Sequence, residues 1–177
     1  MRVSTFPRRA LAWGLCLLLA ASLTSCGGSD GGGGDDQPGF QVTLTMRGTN
    51  GAETSSFVFG KPIVFDLTVV NRSGGAQVLT LPTSQIYDLA VFAEGSQTPR
   101  FRWSFNRAFT PAATNLTFNG HQSLTYLYIW SGVLDDGTQI MPGKYEMRGT
   151  LAFPDYASDW GANDEWGAAP RKITITE

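Results

Sequence analysis

The sequence has one histidine, two cysteines and few charged residues. Asp, Glu, Lys and Arg make up only 16% of its 177 residues. Helical bundles and coiled coils depend on Glu, Lys and Arg, so this composition argues against both. Two cysteines cannot build a disulfide framework or a four-ligand zinc site. A single His, His121, is the one candidate imidazole base for the whole chain. There is no Gly-x-Ser-x-Gly elbow, and no phosphate-cradling glycine loop precedes a helix. Thirteen basic residues against fifteen acidic give a net charge of −2, which excludes the strongly basic surface of a nucleic-acid binder. No stretch after residue 40 sustains a 3.6-residue apolar period, so no amphipathic helix is expected there.

What is present begins with an address. Arg2, Arg8 and Arg9 occur in the first ten residues with no acid among them, and the apolar run Leu11 to Leu23 follows. A positive segment followed by a short apolar one is the layout of a secretory signal. The run is shorter than the ~20 residues a membrane-crossing helix needs. Leu23-Thr24-Ser25-Cys26 comes next, and it resembles a bacterial lipobox. The resemblance implies diacylglyceryl attachment to the Cys26 thiol, cleavage between Ser25 and Cys26, and acylation of the new N-terminus, for example with palmitate. Residues 1–25 are then a signal peptide. Cys16 leaves with it, Cys26 carries lipid, and no free thiol remains for catalysis or metal binding. Gly27, with no Asp at that position, resembles the outer-membrane-sorted class in a Gram-negative envelope, where the domain would face the periplasm.

Residues 26–39 comprise the lipidated Cys26 and a Gly-rich linker, with Asp30, Asp35 and Asp36 interspersed. Such a segment cannot bury apolar surface and reads as a flexible tether. Its carboxylates match no ordered calcium loop.

Residues 40–177 read as one all-β domain. Phe40 to Met46 alternates, with Phe40, Val42, Leu44 and Met46 on one face. Ile63, Phe65, Leu67 and Val69 do the same in the run from Pro62 to Val70. So do Leu124, Tyr126, Tyr128 and Trp130 in the run from Gln122, and Tyr145, Met147, Gly149 and Leu151 in the run from Gly143 to Phe153. Further short runs cover 56–59, 76–81, 86–93, 100–105, 115–118 and 172–176. Turn signals such as Asn50-Gly51, Ser73-Gly74-Gly75 and Asp136-Gly137 separate them. About eight or nine strands in this length fit an immunoglobulin-like antiparallel β-sandwich. The lack of a cysteine pair argues against a true antibody domain, not against the architecture.

The order of punctuation goes further. Phe59-Gly60-Lys61-Pro62-Ile63 and Leu67-Thr68-Val69-Val70-Asn71-Arg72-Ser73 are followed by Tyr87-Asp88-Leu89-Ala90-Val91, Trp103-Ser104 and Phe109. Then come Tyr126 with Trp130, Pro142-Gly143-Lys144-Tyr145 and Arg148-Gly149-Thr150-Leu151. This ordered set, over roughly residues 55–176, resembles the BsuPI-related family, named for an intracellular proteinase inhibitor. The resemblance implies an immunoglobulin-like sandwich and, from the founding member, proteinase inhibition. An intracellular founder and an exported, lipidated chain differ, and no inhibitory motif carries over residue by residue. One fold hosts many functions, so the fold transfers better than the activity.

Candidate chemistry is sparse. His121 reads as a solvated turn residue. Asp135-Asp136 precede Gly137 in turn chemistry. Asn71-Arg72-Ser73 and Asn115-Leu116-Thr117 match glycosylation acceptors incidentally, and Asn71 and Ser73 suit turn hydrogen bonds. Tyr87, Trp103 and Trp130 read as core or half-buried aromatics. Arg100, Arg102 and Arg107 alternate with aromatics as in a strand with one wet face. The segment 155–166 is an insertion with four acids, Tyr156, Trp160 and Trp166. It lacks both a base and a metal-loop spacing. Three readings stay open for it: a partner contact through Tyr156, Trp160 and Trp166, since Trp and Tyr dominate binding hot spots, a loop tucked against the sandwich edge, or a calcium site, for which it has oxygen enough but no known loop spacing. The loop 94–99 is a second candidate contact. The expectation is therefore a non-enzymatic, protein-binding domain without cofactor or metal. Its partners would be the membrane, through lipid on Cys26, and a proteinase, or alternatively another envelope protein or a glycan.

Overall fold

The computed structural model describes residues 39–154, 160 and 166–177. Expectations for Ser25, Cys26 and Tyr156 lie outside the described residues. Ten strands follow in chain order: β1 Phe40–Arg47, β2 Ser56–Val58, β3 Ile63–Asn71, β4 Gln77–Leu81, β5 Tyr87–Ala93, β6 Pro99–Arg102, β7 Thr114–Phe118, β8 Ser123–Trp130, β9 Gly143–Leu151 and β10 Arg171–Thr176. No helix occurs among the described residues. The count exceeds the expected eight or nine because every short run read from the sequence, β2 and β7 included, pairs as a strand.

One sheet has the order β1-β3-β8 and the other β2-β10-β9-β5-β6, while β4 and β7 form a separate pair. Every pairing is antiparallel except β10 with β2. The two sheets face each other across one core. Leu44 and Leu67 of the first sheet meet Leu89 and Gly149 of the second. A Cβ added to Gly149 would lie 2.8 Å from Leu67 Cδ1 and 3.1 Å from Leu89 Cδ2. That approach explains a glycine in the middle of a long strand, where it otherwise weakens pairing. The fold is thus an immunoglobulin-like β-sandwich, and the alternating residues expected to face inward in β1, β3 and β9 are buried.

β5 departs from alternation. Leu89 and Val91 point into the main core, but Ala90 and Phe92 are also fully buried and pack with Trp160 in a second cluster. A strand covered on both faces reads as a continuous apolar run, and Leu89-Ala90-Val91-Phe92 is one.

β6 ends sooner than the expected 100–105 segment. Asp88, buried in β5, accepts hydrogen bonds from the Ser104 N–H (3.0 Å) and hydroxyl (2.5 Å) and pairs with Arg102 (3.4 Å). These bonds pull Ser104 out of strand register. Successive turns then run from Arg102 to Phe105 and from Ser104 to Arg107, with Asn106 in left-handed backbone at φ 57°. Phe101 is consequently buried and Trp103 half-buried, while Phe105 is exposed.

Candidate functional site

Of the readings left open for the insertion's tryptophans, partner contact or a tuck against the sandwich edge, the place of Trp160 fits the second. Its side chain is only 4% exposed. It stands edge-on to Phe92, with ring centroids 5.8 Å apart, and the Arg102 guanidinium lies 5.3 Å from its ring centroid. The outer face of β5 is apolar and needs a cover, and Trp160 supplies it. Trp166 is half-buried and stacks on Phe153 at 4.2 Å. Its carbonyl accepts hydrogen bonds from the Leu151 N–H and the Thr150 hydroxyl, which ties the end of the insertion back to β9. Both described tryptophans therefore act as tucks.

The loop 94–99 is largely exposed, and the other candidates are structural. His121 is exposed in a left-handed turn at φ 59°, and its N–H donates to the Ser73 carbonyl. Asn71 is fully buried. Its amide donates to the carbonyls of Gly75 and Asn119, and its oxygen accepts from Ser73. The glycosylation match at Asn71 is thus a buried turn. Asp136 caps its own turn: hydrogen bonds from the Thr138 hydroxyl and N–H hold its carboxyl below the usual range. Partial burial raises Asp135, opposed by the hydrogen bond from the Arg102 N–H. Among the described residues, no group of three or more His, Cys, Asp or Glu is placed to hold a metal.

What sequence reasoning missed is the open side of the sandwich, where β6 and β8 each end their sheet. The two edges are treated differently. The β6 edge is closed by the turn carrying Asp135, whose N–H donates to the Arg100 carbonyl and whose carboxylate accepts the Arg102 N–H. Pro99 removes a further donor from that strand. β8 has no such cover among the described residues.

The β8 register shows which groups it exposes. Asn71 lies opposite Gln122, and its N–H donates to the Gln122 carbonyl. In an antiparallel ladder hydrogen-bonded and non-hydrogen-bonded pairs alternate. Leu124, Tyr126, Tyr128 and Trp130 therefore direct their main-chain groups to β3. Ser123, Thr125, Leu127 and Ile129 direct theirs to the open edge. The 2.9 Å contact between the Thr68 and Thr125 hydroxyls fits the close side-chain approach of a non-hydrogen-bonded pair. Leu127 and Ile129 are also 59% and 60% exposed on the outer face. β1, at the far edge of the same sheet, carries Gln41, Thr43, Thr45 and Arg47 at its outward positions instead.

Beside this edge lies a shallow groove of about 310 Å³ between residues 101–107 and 128–137. Its wall is aromatic. Phe101 stacks parallel to Tyr128 at 6.1 Å and 11°, and behind Trp103, outside the groove, Tyr87 stacks between Trp103 (4.4 Å) and Tyr126 (5.2 Å). Arg107 lies over the Trp103 ring at 4.4 Å. Burial pushes the Tyr87 hydroxyl above its ordinary value, with Arg107 pulling the other way, and burial likewise raises Tyr126. The arrangement provides main-chain donors and acceptors, apolar area, the Asp135 carboxylate and two guanidiniums, of which Arg102 is paired with Asp88. It contains no nucleophile–base pair.

The family model described as BsuPI, intracellular proteinase inhibitor, matches residues 49–156, more than half of the chain. No curated protein matches the sequence. Among solved structures, a CARDB domain from Pyrococcus furiosus, crystallised with di-metal ions, is similar at 13% identity and a TM-score of 0.39, covering 77% of this chain and 93% of that one. A β-glucosidase from Erythrobacter marinus is similar at 9% identity and a TM-score of 0.42, covering 77% of this chain and 15% of the enzyme. An alkylpurine DNA glycosylase from Pseudomonas fluorescens gives 9% and 0.40, with 78% of this chain and 31% of that one covered. The fold assignment rests on the strand order and the contacts between sheets described above.

Proposed function

The chain belongs to the BsuPI family of intracellular proteinase inhibitors, and on that premise we propose that it is a lipid-tethered, non-enzymatic domain that binds and inhibits a proteinase of the cell envelope. The observation that carries the binding role is the open β8 edge, with Leu127 and Ile129 exposed beside it. Proteins usually shorten, charge or cover such an edge. Here the neighbouring β6 edge is closed and the β8 edge is left open. That contrast supports a surface kept for a partner.

The tether reading rests on the sequence. Arg2, Arg8, Arg9, the apolar run and Leu23-Thr24-Ser25-Cys26 support cleavage before Cys26 and lipid on its thiol. Each buried CH₂ of an acyl chain contributes about 0.8 kcal/mol, and two or more chains hold a protein on a bilayer stably. The Gly- and Asp-rich composition of residues 27–39 supports a tether between the lipid and β1.

Two measurements test this. Mass spectrometry of the N-terminal peptide should find it beginning at Cys26 with acyl mass added, and Cys26→Ala should release the protein from membranes. Envelope fractions from cells lacking the chain should degrade casein faster than those from cells with it, and the purified protein should reverse the difference. Equal rates, or no reversal, would contradict inhibition.

A further inference from the structure

We propose that the partner adds to β8 as an extra strand: an extended segment with aliphatic residues at alternate positions and a carboxylate that meets Arg107. This rests on the reading above that the domain binds a proteinase, and it specifies how.

The main-chain argument comes first. Thr125, Leu127 and Ile129 point their N–H and C=O groups to an edge that no described strand occupies. An extended segment laid there gains ladder hydrogen bonds, and alternate side chains then read specificity. Leu127 and Ile129 lie on one outer face, two residues apart, with Val64 opposite Ile129 on β3. An added strand with aliphatic residues at the same spacing would extend that apolar surface. Polar or charged residues at those positions would strand Leu127 and Ile129 against them.

Charge selects among occupants. Arg107 lines the groove at the Trp130 end of β8 and is held over Trp103. Among the described residues no carboxylate pairs with it. A second copy of this chain pairing through β8 would bring Gln122 to Trp130, which contains no acid. A different protein carrying Asp or Glu at the corresponding end satisfies Arg107, and so the observations favour a heterologous segment over self-pairing.

The test uses the full-length protein in detergent micelles and an acetylated, C-amidated peptide probe, Thr-Val-Thr-Val-Asp, whose two valines share the outer face while the Asp faces the groove. Amide hydrogen exchange is followed residue by residue. In the free protein Leu124, Tyr126 and Tyr128 should exchange slowly, while Thr125, Leu127 and Ile129 exchange fast. Adding the probe should slow the second set only. Leu127→Pro removes one outward donor without touching the β3 ladder, a substitution edge strands tolerate, and should abolish the protection. If that variant does not fold, Arg107→Glu carries the test. It should weaken the Asp-ended probe at least about tenfold, the scale of one charge-assisted hydrogen bond, and leave a Lys-ended probe no weaker. Strand addition is overturned if millimolar probe protects none of these amides. It is also overturned if they are already protected in the free protein in a concentration-dependent way, which would assign the edge to a second copy. The two readings fail separately. Proteinase inhibition unchanged by Leu127→Pro or Arg107→Glu would sink strand addition and leave inhibition standing. Probe protection in a protein that inhibits no proteinase would do the reverse.

Discussion

The Asp88 carboxylate accepts hydrogen bonds from both the N–H and the hydroxyl of Ser104, sixteen residues away. This pair decides the shape of the open side. It ends β6, sends Phe105 outward and sets Trp103 beneath Arg107. Asp88 is fully buried, and removing its carboxylate takes away the acceptor shared by the half-buried Ser104 groups and the Arg102 guanidinium. Asp88→Ala should therefore lower stability by about 2–4 kcal/mol. The check is urea unfolding, where the midpoint should fall with little change in slope. Ser104→Ala should cost less, about 1 kcal/mol.

Gly149 tests the spacing between the sheets. A methyl group there would press on Leu67 and Leu89 in a packed core. Gly149→Ala should destabilise by about 1–3 kcal/mol through overpacking. Pairing it with Leu67→Ala should recover part of the loss, measured as a coupling in a double-mutant cycle.

Trp160 should behave as a cover and not as a contact. Trp160→Ala uncovers Phe92 and the outer face of β5, and should cost about 3 kcal/mol or more. Limited proteolysis of the variant should cut within 155–166 sooner than in the parent. Proteinase inhibition by the fraction that remains folded should be unchanged, because the buried ring offers a partner nothing.

Alkali should unfold the protein through its stacked tyrosines. Burial holds Tyr87 and Tyr126 above the ordinary tyrosine range in the folded state. The unfolded chain therefore loses those protons first. Their contribution to stability is fully present below about pH 10 and declines as the pH rises beyond it. Tyr126→Phe should flatten the alkaline limb of the stability curve, read by urea titration at successive pH values. A limb unchanged in both Tyr126→Phe and Tyr87→Phe would contradict this assignment.

The inward faces of β1, β3, β8 and β9 were legible because one-sided burial imprints alternation on residues such as Phe40, Val42, Leu44 and Met46. Asn71 and Ser73 were legible as turn residues because their hydrogen bonds are local. The open edge was not, since whether β8 is central or terminal depends on strands distant in sequence. Nor was the place of Trp160: a tryptophan in a long acidic insertion looks the same whether it faces a partner or its own sheet. A signal did exist in Leu89-Ala90-Val91-Phe92. An unbroken apolar run demands cover on both faces, and the insertion was the segment left to provide it. The early end of β6 was hidden because Asp88 and Ser104 meet only once β5 and β6 pair.

The most direct measurement is a titration of purified serine and metalloproteinases with the full-length protein. The account predicts that at least one envelope proteinase loses activity in proportion to added protein, reaching an equivalence point while the inhibitor chain stays uncut. Full activity across the panel at micromolar excess would contradict it.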